Sequence, residues 1–295
     1  MSTAWLFPGQ GSQQVGMGRE LYEAEPATRA LFAEAAERSG IDIVRLCFEG
    51  PAEALQQTEH AQPCLLTVSV AYGQALSARG LAPDVVAGHS LGEYSALVLA
   101  GVLAFGDAVH AVRRRGELMA MAAAGGGAMA AILGLDDEKV EEACAAAGEV
   151  APANYNAPGQ VVISGTAEAV ERASLAARQL GATRVVALKV SGPFHSPLMR
   201  PAATELAAVL STLRFSSARL PVVCNVDGAM HQDAEDFPPL LVRQVAEPVR
   251  WSDVMRCLLA AGVDRCVEVG PGRVLSGLMR QMDRTVEMVS AAALL

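Results

Sequence analysis

The sequence Gly88-His89-Ser90-Leu91-Gly92 follows the run Asp84-Val85-Val86-Ala87 and precedes a helical pattern over residues 93–98. G-x-S-x-G between a strand and a helix is the pattern of a nucleophile elbow, a sharp turn that leaves the serine hydroxyl exposed. Glycines suit both flanks because the tight turn leaves no room for a Cβ atom. Taken alone, G-x-S-x-G is equally consistent with an ordinary glycine-rich turn. The order of strand, turn and helix favours the elbow, so Ser90 is the candidate nucleophile.

Length and composition indicate one large domain with a smaller insertion, because 295 residues can bury a sizeable core. The longest uncharged apolar run, residues 118–135, is interrupted by three glycines and is shorter than the ~20 residues of a membrane span. Residues 1–5 have no basic segment leading into an apolar core, so we expect no export signal. The sequence therefore predicts a soluble, cytoplasmic protein without a membrane partner.

Cysteines and net charge exclude several further classes of site. The six cysteines are scattered and form no C-x-x-C pair, so we expect neither a metal site nor disulfides. A formal net charge of -9 leaves no basic stripe to replace phosphate counterions, which argues against nucleic acid as a partner. An acidic partner would have to bind a locally basic patch.

Strand and helix signals alternate from Trp5-Leu6-Phe7 to residues 85–87, which predicts an α/β fold. We expect an α/β-hydrolase-like, mostly parallel sheet with helices on both faces. Gly9 and Gly11 suggest a dinucleotide motif, but the third glycine position of G-x-G-x-x-G is Gln14. Nucleotide binding is therefore not predicted.

Residues 126–190 follow a different pattern, β-α-β-β-α-β, which is the ferredoxin-like arrangement. Asn156-Ala157-Pro158-Gly159 predicts the turn between its two middle strands, and Thr166 is the expected N-cap of its second helix. Residues 183–190 are expected to form its last strand. The predicted large domain thus comprises residues 1–125 and 191–295, with a ferredoxin-like subdomain inserted at 126–190.

A serine hydroxyl needs a base, and His195 is the best candidate among the five histidines. The alternatives are His60 and His110 within helical patterns, His231 in an acidic loop, and His89, whose side chain should point away from its neighbour Ser90. His195 lies in the constrained loop of residues 192–197, where a lone histidine is more often structural, but the need for a base favours a catalytic role. No acid stands out as a third member, so a backbone carbonyl is expected to orient the imidazole.

Arg115 is the second informative residue, because it projects from an apolar helix face. On the predicted helix 107–121 its neighbours three and four positions away are Ala111, Val112, Leu118 and Met119. A guanidinium in such a stripe, without an obvious partner in the chain, favours binding of a planar anion. The alternative is a side chain that snorkels from the edge of the stripe.

These motifs together resemble a known family. They are Phe7-Pro8-Gly9-Gln10-Gly11-Ser12-Gln13, Gln62-Pro63, Gly88-His89-Ser90-Leu91-Gly92-Glu93, Arg115-Gly116-x-x-Met119, Asn154-x-Asn156-x-Pro158-Gly159-Gln160, Pro193-Phe194-His195-Ser196 and Glu268-Val269-Gly270-Pro271-Gly272. The set resembles the malonyl-CoA:acyl carrier protein transacylases, in order and across nearly the whole chain. This joint match is far more specific than any single motif.

The resemblance implies roles for individual residues. Ser90 would carry the malonyl group as an ester, His195 would be its base, and Arg115 would hold the malonyl carboxylate. The family's other site positions fall on the backbone N–H groups of Gln10 and Leu91 as oxyanion hole, the backbone carbonyl of Gln244 as acceptor for the histidine, and Met119, Gln62 and Phe194 as substrate-binding side chains. Phe194 is expected to favour malonyl over methylmalonyl groups, unless it only anchors its loop.

The activity that the resemblance implies is ping-pong transfer from malonyl-CoA to the phosphopantetheine thiol of an acidic acyl carrier protein, without cofactor or metal. We expect a monomer, with Lys189, Arg200 and Arg273 forming the basic rim that meets the carrier. The alternatives are a serine hydrolase using the same elbow and a carrier-binding scaffold without activity. The sequence leaves open whether the carrier serves fatty-acid or polyketide synthesis.

Overall fold

Apolar strands build two sheets in residues 2–190 and 192–295, the part of the chain that the computed structural model describes. Met1 and Ser191, the first residues of the two predicted large-domain segments, lie outside the described residues. The strands are β1 (Ser2–Phe7), β2 (Val85–Gly88), β3 (Ala128–Leu133), β4 (Val150–Ala157), β5 (Gln160–Gly165), β6 (Arg184–Ala187), β7 (Val222–Val223), β8 (Met230–His231), β9 (Val263–Glu268) and β10 (Glu287–Ser290).

Helices connect these strands and cover the sheets. They are α1 (Arg19–Ala24), α2 (Pro26–Ser39), α3 (Ile43–Phe48), α4 (Ala52–Gln56), α5 (Thr58–Ala78), α6 (Gly92–Leu99), α7 (Phe105–Ala123), α8 (Asp137–Ala147), α9 (Ala167–Gln179), α10 (Arg200–Leu210), α11 (Phe237–Ala246), α12 (Trp251–Ala260) and α13 (Val274–Met282). Among the described helices, none combines the length and the hydropathy that crossing a membrane requires.

The larger sheet has the order β10-β9-β1-β2-β7-β8, and every pair is parallel except β7 with β8. Trp5 and Phe7 of β1 face one hydrophobic core, which includes side chains of α2, α5 and α7, while Ala4 and Leu6 face a second core against α12 and α13. Burial on both faces is typical of parallel strands. The predicted α/β class, with a largely parallel sheet and helices on both faces, is confirmed.

The carboxyl ends of β1, β2 and β9 lie side by side, because Phe7 pairs with Gly88 and Leu6 pairs with Glu268. The loops that follow these strands therefore meet at one edge of the sheet. In open α/β sheets, ligands bind at this edge.

The smaller sheet has the order β4-β5-β3-β6 with all pairs antiparallel, and α8 and α9 pack on it. Asn154 of β4 bridges to Val249, which connects this sheet to the larger part of the molecule. Thr166 caps α9 as predicted, since its side chain accepts from the N–H of Ala169.

Two predicted strands are shorter in the structure. The strand expected over residues 183–190 ends at Ala187. Leu188 keeps one hydrogen bond to Met129 of β3, and residues 188–190 line the cavity beside Ser90. The apolar pattern of residues 220–224 likewise predicts a strand. In the structure only Val222–Val223 form one, and the chain that continues at Cys224 and Asn225 turns towards the same site.

Candidate active site

Ser90 occupies a strained turn between β2 and α6. Its φ of 52° lies in the left-handed region, which a non-glycine residue adopts only when its surroundings impose it. A Cβ atom on Gly88 would lie 1.9 Å from the carbonyl carbon of Gly92, and one on Gly92 would lie 2.0 Å from the carbonyl oxygen of Phe7. Both flanking glycines are therefore required by close backbone contacts, as the sequence indicated.

Two buried amide side chains hold this turn in place. Asn225 Oδ1 accepts from the Ser90 N–H at 2.6 Å, while Asn225 Nδ2 donates to the Gly88 carbonyl at 2.7 Å. Gln244 Nε2 donates to the Ser90 carbonyl at 3.0 Å. Asn225 could not be predicted from the sequence, because nothing in the loop after β7 indicates its contact with the turn at Ser90.

His195 is hydrogen-bonded to the serine hydroxyl, with 2.7 Å between its Nε2 and Ser90 Oγ. Its Nδ1 lies 2.7 Å from the backbone carbonyl of Gln244. A carbonyl can only accept, so Nδ1 carries the proton and Nε2 accepts from the serine. Burial, and secondly the positive charge of Arg115, lower the pKa of His195 to about 3. The imidazole is therefore neutral and able to accept a proton.

Arg115 is buried on α7, with only 2% of its surface exposed, so the snorkelling alternative is wrong. Its Nη1 donates to Gln62 Oε1 at 2.8 Å, and its Nη2 donates to Gln244 Oε1 at 2.9 Å and to Ser90 Oγ at 3.1 Å. The expectation that Arg115 has no partner in the chain was also wrong, because long-range packing supplies these oxygens. None of the described acidic residues forms a salt bridge with it, so its direct hydrogen-bond partners are all neutral, although the buried carboxyl group of Glu93 lies close enough to interact with its charge.

A cavity of about 380 Å³ opens above the serine, and Ser90, His195 and Arg115 all line it. Met119 and Phe194 form part of its apolar wall. Phe194 is 6% exposed and also belongs to the main hydrophobic core. The cavity can therefore hold an acyl group with its carboxylate against the guanidinium and its carbonyl beside the serine.

Gln10 lines the same cavity as Ser90, and Leu91 directly follows Ser90 in the chain. Within the described residues, neither backbone N–H is engaged in a hydrogen bond. Gly9 lets the loop after β1 approach the elbow closely, since a Cβ there would lie 2.4 Å from the His89 carbonyl oxygen. Two unengaged N–H groups beside a nucleophile are the donors that an oxyanion requires.

The structure places Gln62 behind the guanidinium, where the sequence had suggested a substrate contact. Gln62 is fully buried and bonds Arg115 and Thr58, and its Nε2 lies 3.6 Å from Met119 Sδ. It is not among the described residues that line the cavity. Gln62 thus orients the Arg115 guanidinium through a hydrogen bond and does not itself line the cavity.

Glu93, the last residue of the motif 88–93, is a further buried group, and its sequence context predicted no role for it. Its Oε2 accepts from the backbone N–H of Asn225 at 2.8 Å. Burial raises the pKa of Glu93 to about 7. This carboxyl group therefore supports the loop that holds the serine.

Two other histidines, His89 and His231, bond to side chains other than Ser90. His89 Nε2 lies 2.9 Å from Asn156 Oδ1, and the hydrogen bond to Ser90 Oγ comes from His195 and not from His89, although His89 also lines the cavity. His231 lies between Asp227 and Asp236 at 3.0 and 2.9 Å, and these carboxylates raise its pKa.

Comparison with known proteins places this site in a family. The profile of the acyl transferase domain family matches residues 4–295. The malonyl CoA-acyl carrier protein transacylase of Bacillus subtilis is 49% identical over 294 residues, which cover 98% of this chain and 93% of the relative.

Solved structures agree in fold. The crystal structure of an acyl carrier protein S-malonyltransferase from Vibrio cholerae superimposes with a TM-score of 0.95 at 47% identity, covering 98% of this chain and 96% of the other. A malonyl-transacylase solved in complex with a type II polyketide synthase acyl carrier protein gives a TM-score of 0.95 at 46% identity, with coverage of 98% and 96%. The chain therefore belongs to the malonyl CoA-acyl carrier protein transacylases, within the acyl transferase domain family.

Proposed function

We propose that the protein transfers the malonyl group of malonyl-CoA to the phosphopantetheine thiol of an acyl carrier protein, through an ester on Ser90. One observation carries the proposal. Ser90 Oγ lies 2.7 Å from the neutral base His195 and 3.1 Å from Nη2 of Arg115, which forms no salt bridge with any described acidic residue. The first contact activates a nucleophile, and the second selects an acyl group with a carboxylate.

In the first half-reaction, Ser90 Oγ attacks the thioester carbonyl carbon while its proton passes to His195 Nε2. The N–H groups of Gln10 and Leu91 hold the carbonyl oxygen as its negative charge develops. The carbon–sulfur bond then breaks, and His195 returns the proton to the CoA sulfur as the thiol leaves.

The second half-reaction runs the same steps in reverse with the phosphopantetheine thiol as nucleophile. One thioester is exchanged for another, so atoms and electrons balance without a cofactor, a metal or ATP.

Arg115 contributes to the rate as well as to binding. A malonyl carboxylate on the guanidinium offsets the charge that holds the pKa of His195 down. The imidazole then becomes a stronger base when the correct acyl group is bound. Interactions that favour the transition state more than the ground state are those that raise kcat.

We also propose that residues 126–190 act as a ferredoxin-like subdomain inserted between large-domain segments 1–125 and 191–295. The element order β3-α8-β4-β5-α9-β6 and the antiparallel strand order support this assignment. The subdomain supplies Met129, Asn154 and Leu188 to the cavity wall.

An acidic carrier protein is the partner that we propose for the cavity mouth. Lys189 lines the cavity, and Arg273 follows Gly272, which lies against Ser12 of the loop after β1. Arg200 is exposed at the start of α10. These three cations can attract an acidic surface although the net charge of the chain is -9. A relative in complex with a polyketide carrier supports a role in supplying extender units for fatty-acid or polyketide synthesis.

Mass spectrometry of the protein mixed with malonyl-CoA tests the function. We expect a malonyl adduct on Ser90 that is absent in Ser90→Ala and is discharged by a phosphopantetheinylated carrier protein. An undiminished adduct in Ser90→Ala would exclude Ser90 as the nucleophile. Release of free malonate at a rate that carrier protein does not change would instead identify a hydrolase.

A further inference from the structure

The side chain of Gln10 is tethered to the first residue of α5. Thr58 is buried, and its hydroxyl donates to Gln10 Oε1 at 2.6 Å. Among the described residues, this is the one hydrogen bond that the Gln10 side chain makes. Gln10 lies between Gly9 and Gly11, which restrict the backbone little. The tether therefore orients the residue whose N–H is assigned to the oxyanion.

Hydrogen bonds continue from this tether to the substrate-binding arginine. Arg115 Nη1 donates to Gln62 Oε1 at 2.8 Å, and Gln62 Nε2 donates to Thr58 Oγ1 at 3.2 Å. A guanidinium can only donate, so Gln62 turns its carbonyl to Arg115 and its NH₂ group to Thr58. The Thr58 hydroxyl accepts from Gln62 and therefore directs its own proton to Gln10. The arginine thus sets the direction of every bond in the chain.

The helix that bears Thr58 is packed directly on the helix that bears Arg115. A Cβ on Gly116 of α7 would lie 2.7 Å from Glu59 Cα and 2.9 Å from the Thr58 carbonyl oxygen. Arg113 Nη1 also donates to the Glu59 carbonyl at 2.9 Å. The first turn of α5 is therefore held against α7, so the position of the guanidinium and that of the Thr58 hydroxyl are linked.

We propose that Thr58 is a positioning residue that couples the guanidinium of Arg115 to the oxyanion-binding loop at Gln10. The proposal rests on the function proposed above. A carboxylate bound to Arg115 restricts the motion of the guanidinium. Through the hydrogen bonds of Gln62 and Thr58, this also restricts the position of Gln10. Aligned hydrogen bonds polarise one another, so the chain acts as a unit. A carboxylated acyl group then speeds the chemical step through the oxyanion hole, besides binding more tightly.

Single-turnover malonyl loading of Ser90 tests the coupling. Thr58→Val removes the hydroxyl and keeps the shape of the side chain. Loss of one oxyanion donor costs ~10²–10³ in rate, so loosening it should lower the saturating rate about tenfold. The half-saturating malonyl-CoA concentration should change less than about twofold, because the guanidinium remains. Thr58→Ser retains the hydroxyl and should load at a rate within about twofold of the wild type.

A matched control lies on the same helix. Thr67 is buried and its hydroxyl donates to the Pro63 carbonyl at 2.7 Å, outside the chain of bonds. Thr67→Val removes the same chemical group and should leave the loading rate unchanged. Thr58→Ala provides a second variant without the hydroxyl, and thermal denaturation shows that each protein is folded.

The double variant Thr58→Val/Arg115→Ala distinguishes coupling between Arg115 and Gln10 from a purely local effect of Thr58 on Gln10. Arg115→Ala already removes the first link, so adding Thr58→Val should slow loading by less than about threefold. If the double variant loses loading rate by the product of the two single effects, the coupling is refuted. It is also refuted if Thr58→Val loads at the wild-type rate, or if Thr58→Ser loses as much rate as Thr58→Val. If the wild-type protein loads malonyl and the Thr58 variants do not differ from it, the coupling fails and the proposed function stands.

Discussion

Replacing Arg115 by alanine should change the acyl group that the enzyme accepts. The guanidinium is 2% exposed, contacts only neutral oxygens, and lies 3.1 Å from Ser90 Oγ. We expect this buried guanidinium to pair with the acyl carboxylate when malonyl-CoA is bound. Removing one member of such a buried charge pair costs about 2–5 kcal/mol. At ~1.4 kcal/mol per decade, kcat/KM for malonyl-CoA should fall about 30- to several-thousand-fold.

Acetyl-CoA provides the comparison, because its acyl group has no carboxylate. Arg115→Ala should retain or increase acetyl transfer, since no charge on this substrate is left unpaired. Transfer of each acyl group from CoA to holo carrier protein is measured side by side for both proteins.

The neighbouring residue is the control for this substitution. Arg114 is half-buried on the same helix and pairs with the partly exposed Glu117, an interaction worth ~0–1 kcal/mol. Arg114→Ala should leave both substrates unaffected. Equal losses of malonyl and acetyl transfer in Arg115→Ala would show that the arginine supports the structure and does not select the acyl group.

Three further outcomes follow from the same site. Because the imidazole must be neutral and its pKa in the free enzyme is about 3, Ser90 acylation should stay constant as the pH falls from 8 to about 5. Arg115→Ala removes a positive charge that lowers the pKa of His195, so the acidic limb of the pH–rate profile for acylation should move to higher pH. An unmoved limb in stopped-flow acylation would contradict the electrostatic coupling of Arg115 and His195. Phe194→Leu should raise kcat/KM for methylmalonyl-CoA relative to malonyl-CoA in direct competition, and an unchanged ratio would leave Phe194 as a loop anchor. The double variant Lys189→Glu/Arg200→Glu should raise KM for the carrier at low salt and leave acylation by malonyl-CoA intact, and an unchanged KM would place the docking surface elsewhere.

Local sequence patterns predicted the α/β class and identified Ser90 and Arg115 as candidate site residues, although two strands were predicted too long. Glycines around Ser90 predicted a turn that the structure shows to be crowded by the backbone on both sides. Helical spacing placed Arg115 on an apolar face, and the structure buries it there. These predictions succeed because hydrophobic periodicity and turn-forming residues are set by residues close together in the sequence. Spacing could not tell whether the guanidinium pointed into the core or out of it.

Only the tertiary structure decided which buried polar atoms pair. The Gln244 carbonyl, which only the family resemblance had assigned to the histidine, reaches His195 across 49 positions of sequence, and the Gln244 side chain, which had no predicted role, reaches Ser90 across 154. Asn225 and Thr58 meet the elbow and the Gln10 loop across 135 and 48 positions. No periodicity within a segment records such contacts, because each depends on how separate helices and strand ends are packed together. The sequence by itself determined the α/β class, the glycine-flanked turn and the choice of Ser90 as candidate nucleophile, and packing determined the amide network that positions Ser90, His195 and Arg115 relative to one another.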